Sequence, residues 1–152
     1  MLNKLLAILV ILASFNAHAQ EFDTSKAIKA IELIPENVKI REPFTALATV
    51  NLSIKNNTNN DLKIKRVYTS HARHTDIYEK YISDIGSEQR KRAKNVYIKA
   101  NQTTEFSNTS DFQIMLTGLK RKYEVGEEIE LHVETVHDGK FRTYLPVHAS
   151  YK

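Results

Sequence analysis

The sequence predicts an all-β protein folded as a single antiparallel sandwich, and three observations carry that expectation. Alternating apolar and polar residues recur in short runs from residue 44 onward. Turn-forming clusters separate the runs, and no segment beyond residue 19 repeats its apolar positions with a helical period. Cysteine is absent, so the fold must rest on a packed core without disulfides, and thiol chemistry is excluded both for metal binding and for catalysis.

The elements follow in order. Met1 to Lys4 form a short positive start, Leu5 to Phe15 an apolar run, and Ala17-His18-Ala19 a small-x-small pattern before Gln20. Residues 1–19 therefore read as a secretory signal peptide, too short to span a membrane as a stable helix. Cleavage there leaves 152 − 19 = 133 residues, the size of one ordinary domain. No cysteine follows the cleavage site to carry a lipid, and no later segment is long and apolar enough to cross a bilayer. The expectation is an exported, periplasmic monomer. Its net charge falls from +4 to about +3 once Lys4 is removed, a mildly basic balance that gives solubility, and nucleic acid is not expected as a partner.

Residues 20–43 read as a lead-in or edge strand, and 44–152 as the sandwich domain. On ALATVNLSIK, residues 46–55, Ala48, Val50, Leu52 and Ile54 form the apolar face. NNTNND, residues 56–61, is a turn, because Asn and Asp tolerate left-handed backbone and bond to their own chain. Leu62 and Ile64 then alternate with Lys63 and Lys65. Further strands are expected at TDIYEKYI, NVYIKA, TEFSN, FQIMLTGL, EEIELHVETV and FRTYLPVH, with turns at Gly86, Asn101-Gln102, Gly126 and Asp138-Gly139. For the last hairpin, matching apolar faces favours a three-residue loop, His137-Asp138-Gly139. It pairs Leu131 with Leu145, Ile129 with Val147 and Glu134 with Arg142.

With the strands placed, FQIMLTGLKRKYEVGEEIELHVE resembles the C-terminal signature of the periplasmic copper(I) chaperone family PCu(A)C. TALATVNLSIKN resembles an early strand of that family, and TDIYEK sits where the family has an apolar-His-Glu strand. The resemblance runs from about Phe44 to Val147 and is best over residues 112–136. It implies a cupredoxin-like, immunoglobulin-like sandwich. It also implies copper as cargo, a copper-donating or copper-receiving periplasmic partner, and a link to cytochrome oxidase maturation. Family members hold Cu(I) with His and Met, soft or borderline donors that suit the ion.

Set against that pattern, most ligand positions are replaced. Tyr78 stands where the first His is expected, Gln89 or Arg90 where the intermediate Met falls, and Gln113 where the His of H-x-M belongs. Met115 alone keeps its type. A single thioether does not hold Cu(I) tightly, so weak copper handling is expected, with His71 and His74 of HARH as the histidines that could join Met115. The plainer reading of HARH is a solvated loop.

Enzymatic constellations are missing: there is no G-x-S-x-G, no Gly-rich phosphate loop and no H-E-x-x-H. Catalysis is not expected. The charge block EQRKRAKN, with Arg90, Lys91, Arg92 and Lys94, reads as a solvated hairpin tip or as a docking patch for an acidic partner or an anionic membrane surface. From that block comes the alternative function: a metal-free periplasmic adaptor that docks through a basic hairpin.

Overall fold

The computed structural model describes residues 30–41 and 46–149. The expected signal peptide lies outside them. Ten strands follow one another: β1 (Ile31–Ile40), β2 (Leu47–Asn56), β3 (Leu62–Tyr68), β4 (Ala72–Ile82), β5 (Glu88–Arg92), β6 (Val96–Ile98), β7 (Thr103–Phe106), β8 (Phe112–Leu119), β9 (Glu128–Thr135) and β10 (Lys140–His148). The all-β expectation is met. Among the described residues no helix is long and apolar enough to cross a membrane.

The strands bond in the order β5-β4-β8-β7-β2-β1-β10-β9-β3-β6, with β8 also meeting β2. This continuous ladder folds across itself at β1/β10, and its two halves enclose one core. Ala48, Val50, Leu52 and Ile54 of β2, Ile114 and Leu116 of β8, Ile129, Leu131 and Val133 of β9, and Leu145 and Val147 of β10 are all buried there. Each fully buried Leu or Ile contributes roughly 1.5–3 kcal/mol by transfer out of water. The ladder departs from the antiparallel expectation in two places. The seam is parallel, with Val38 opposite Val147, and β7 meets β8 in parallel at Phe106 and Phe112.

Three other expectations need correction. First, residues 31–40 are neither lead-in nor edge: β1 bonds to β2 on one side and to β10 on the other. Pro35 interrupts the alternation and coincides with a bulge before Asn37, and β10 pairs only beyond it, at Val38 and Lys39. A proline is tolerated in a ladder at such a place, where its missing N–H forfeits no bond.

Second, the last hairpin is registered two residues away from the expected pairing. Leu131 faces Thr143, Leu145 faces Ile129, and Glu134 faces Lys140. Thr135 ends the ladder, donating its N–H to Gly139 O at 2.9 Å while its Oγ1 accepts from Asp138 N at 2.9 Å. Gly139 takes φ +99°, a conformation costly for a side chain. The buried set is as expected, because a shift of two leaves every side chain on its own face.

Third, the basic run is not a hairpin tip. Glu88–Arg92 form the edge strand β5, and residues 83–87 make the turn, with Gly86 at φ +77°.

Asn56 anchors the turn after β2. It is fully buried, its Nδ2 donating toward Asn60 O (2.8 Å), Ile98 O (3.0 Å) and Lys99 O (3.2 Å). Its Oδ1 accepts from Thr58 N and Thr58 Oγ1, each at 2.8 Å.

Candidate functional site on the outer face of β4, β5 and β8

Successive side chains of a strand point to opposite faces. Ile114 and Leu116 lie in the core, so Gln113, Met115 and Thr117 of β8 are on the outer face. The register with β4 sets Tyr78 opposite Gln113, Asp76 opposite Met115 and His74 opposite Thr117. On the other side of β8, Thr49 of β2 faces Met115. Tyr78, Gln113 and Met115 are therefore neighbours on one face. Gln113 Nε2 donates to Thr49 Oγ1 at 3.2 Å.

The edge strand adds positive charge to this face. Tyr78 pairs with Arg92, and Lys80 with Arg90. Arg92 Nη2 reaches Asp76 Oδ1 at 2.7 Å, and that hydrogen bond raises the guanidinium above its ordinary pKa. Arg90 turns to the loop between β7 and β8, donating from Nη2 to Asn108 O (3.0 Å) and Ser110 O (2.8 Å). Lys80 Nζ approaches Thr109 O at 3.4 Å, and its own N–H donates to Asp111 O at 2.8 Å. Two cationic side chains thus hold three consecutive loop carbonyls beside Gln113. Gln89, the other residue at the intermediate Met position, lies on the opposite face, paired with Tyr81 and accepting from its hydroxyl at 2.7 Å.

The two histidines of HARH part company. His71 sits at the bend before β4, its Nδ1 2.8 Å from the hydroxyl of the buried Tyr123. His74 is exposed on β4, diagonal to Met115 on the outer face. Among the described residues, no group of three or more His, Cys, Asp or Glu is placed to hold a metal ion.

The expected docking cations are mostly engaged within the protein. Arg90 and Arg92 are held as described, and Lys91 pairs with Glu79 at 3.4 Å. Lys94 is exposed in the loop after β5.

Sequence reasoning missed Asp76, Thr49 and Asn51. Asp76 was within reach of it, since it precedes Tyr78 by two on the same strand and must share its face. Asn51 is buried, its Nδ2 donating to Asn37 Oδ1 at 2.7 Å, and its Oδ1 has no partner among the described residues.

This fold is that of PCuAC domains. The apo PCuAC domain from PmoF1 is similar at 15% identity and TM-score 0.66, over 79% of this chain and 94% of that one. The copper-bound PCuAC domain from PmoF2 is similar at 12% identity and TM-score 0.64, over 79% and 93%. The Cu(I) form of DR1885 from Deinococcus radiodurans matches at 18% identity and TM-score 0.57, over 82% and 78%. At these identities the likeness is one of fold. No curated protein matches the chain. The family described as "Putative lipoprotein LpqE-like" matches residues 28–147. The chain belongs to this LpqE-like family. Its 152 residues nonetheless contain no cysteine to carry a lipid.

Proposed function

We propose that this is an exported, non-enzymatic relative of the copper chaperones in which an ion-paired polar cluster has replaced most of the copper ligands. It acts beside a copper-donating or copper-receiving periplasmic protein and does not itself carry Cu(I) tightly. The observation that carries this reading is the Asp76–Arg92 pair at 2.7 Å, with Asp76 facing Met115 across the ladder. The carboxylate that faces Met115 is engaged by a guanidinium, and tight Cu(I) binding needs two or more converging soft donors, of which this face has one thioether. Tyr78 and Gln113, opposite each other, can close the face by hydrogen bonding without metal. The extracytoplasmic setting is supported by a family described as lipoproteins and by the signal-like residues 1–19. The boundary at residues 19/20 and the link to cytochrome oxidase maturation belong to the same proposal.

The test is Cu(I) competition against a strong chelator, using the secreted form, Met115→Ala, and the double variant Tyr78→His with Gln113→His. Negligible competition is expected from the first two and a clear gain from the third. Tight binding by the native protein that disappears in Met115→Ala would replace this reading with that of a working chaperone. A weaker form of copper handling is favoured by one observation, the diagonal placement of His74 and Met115 on the same face. Its signature is loose Cu(I) binding lost in His74→Ala and unaffected by His71→Ala.

A further inference from the structure

We infer that the protein pairs with a second copy of itself through the free edge of β5, so that one sheet runs on into the other. β5 ends the ladder and is bonded to β4 alone. Ser83 N donates to Ser87 O at 2.9 Å and Ala93 N to Ile77 O at 2.8 Å, so the odd-numbered residues from 87 to 93 turn their backbone groups toward β4. The alternation of an antiparallel ladder then leaves the N–H and C=O of Glu88, Arg90 and Arg92 on the outer edge. A second copy running antiparallel, with the symmetry axis at Arg90, sets Arg90 against Arg90 and Glu88 against Arg92. Every outward backbone group then meets another.

Charges on an edge strand ordinarily resist such addition. In this register they alternate instead. Within one copy Glu88 pairs with Lys80 at 3.4 Å and Arg92 with Asp76 at 2.7 Å. Setting Glu88 beside the partner's Arg92 joins these pairs into a row of alternating sign, Lys80, Glu88, Arg92, Asp76, and the symmetry repeats the row at the other end. The Arg90 guanidinium groups are drawn away from the axis, each held by Asn108 O and Ser110 O of its own chain.

The same register supplies an apolar anchor. Ile85, in the turn between β4 and β5, is 87% exposed. Beyond the other end of β5 a cavity of about 190 Å³ opens over Ile64, Val67, Ile77, Ala93 and Val96. It is smaller than the roughly 300–1,000 Å³ of most small-molecule sites, yet it has room for one aliphatic side chain. Continued past Glu88, the pairing brings Ile85 level with the partner's Asn95, between Lys94 and Val96 of the cavity lining. Asp84 and Lys94 are both exposed and have no ion pair among the described residues, and the dimer sets them at the same rim. Anchor and cavity lie at opposite ends of β5, so the two-fold arrangement fills both cavities and leaves none for a third copy.

A five-residue strand pair with one anchor at each end belongs to the small class of interfaces, below about 1,200 Å², so the dimer is weak. Sedimentation equilibrium of the secreted form over roughly 10 μM to 1 mM should show monomer passing to dimer and no larger species. Ile85→Ser should weaken the dimer at least about tenfold, and Val125→Ser, at a 68% exposed position outside β5, less than about twofold. Glu88→Arg alone and Arg92→Glu alone should each be monomeric, because like charges then meet at both ends. An equimolar mixture of those two variants should dimerise again, since unlike charges meet once more at both ends. If either charge variant unfolds in a thermal scan, the comparison of Ile85→Ser with Val125→Ser decides alone. A monomer at every concentration, growth into larger species, a dimer indifferent to Ile85→Ser or weakened equally by Val125→Ser, a folded charge variant that dimerises alone as the native protein does, or a folded mixture that stays monomeric would each overturn the inference.

Discussion

Replacing Asn56 with Ala removes a side chain that satisfies two separate turns. The carboxamide has two N–H donors, which serve the carbonyls of Asn60, Ile98 and Lys99, and an oxygen that takes both the N–H and the hydroxyl of Thr58. That amounts to about four hydrogen bonds, each worth roughly 0.5–1.5 kcal/mol net. The Thr58 hydroxyl already reaches Asn60 O at 3.0 Å and can keep that bond, which lowers the total. The Ile98 carbonyl is left buried, which raises it. A loss of about 3 kcal/mol follows, against a usual total of roughly 5–15 kcal/mol. Urea unfolding followed by far-ultraviolet circular dichroism measures it, with the slope unchanged and the midpoint lowered. Asn56→Asp retains the acceptor but sets a carboxylate among three carbonyl oxygens, so it should be at least as damaging. A loss below about 1 kcal/mol for the Ala variant, or a near-native Asp variant, would refute the assignment of the amide as the donor that joins the two turns.

Further outcomes follow from the same geometry. Lys65 and Arg66 pull the Glu134 carboxyl down from 4.5 to about 2. Stability owed to it should be complete above its unfolded value and be lost as pH falls from there through about 2. Melting curves of the native protein and Glu134→Gln should therefore differ at pH 7 and converge toward pH 2, and a constant difference would count against the pairing. Gly118 has φ +70°, and an added Cβ would lie 3.1 Å from the Arg73 side chain, so Gly118→Ala should lower the unfolding free energy by about 1–2 kcal/mol. Leu131→Ala in the core should cost about 2–5 kcal/mol by the same urea assay.

The strands that alternate cleanly were legible in the sequence, as Ala48, Val50, Leu52 and Ile54 illustrate: all four are buried. β1 was not, because Pro35 and the bulge beside it break the period on which such reading depends. Face matching placed Leu131 and Leu145 inside correctly, yet it could not choose between registers two residues apart. That choice was made locally, by the hydroxyl and N–H of Thr135. The ladder sets together Tyr78, Gln113 and Met115, three positions that the resemblance aligns with copper ligands. The charge block misled for a physical reason. Asp76 and Glu79 stand twelve or more residues from Lys91 and Arg92 in the chain, and only the β4–β5 pairing turns an apparent basic run into an ion-paired edge.

The parallel seam also governs when the molecule can form. Val38 and Val147 meet although they stand 147 − 38 = 109 positions apart in the chain. Nearly the whole polypeptide must therefore be present before the two halves can close on each other. Loop closure over such a distance is entropically slow, and folds rich in distant pairings assemble in milliseconds to seconds. A chain emerging from synthesis would stay open until β10 is available, and a chain cut short before Lys140 would lose the junction of its ladder, not merely an edge. Such late closure is compatible with the export proposed above, in which a chain crosses a membrane before it folds.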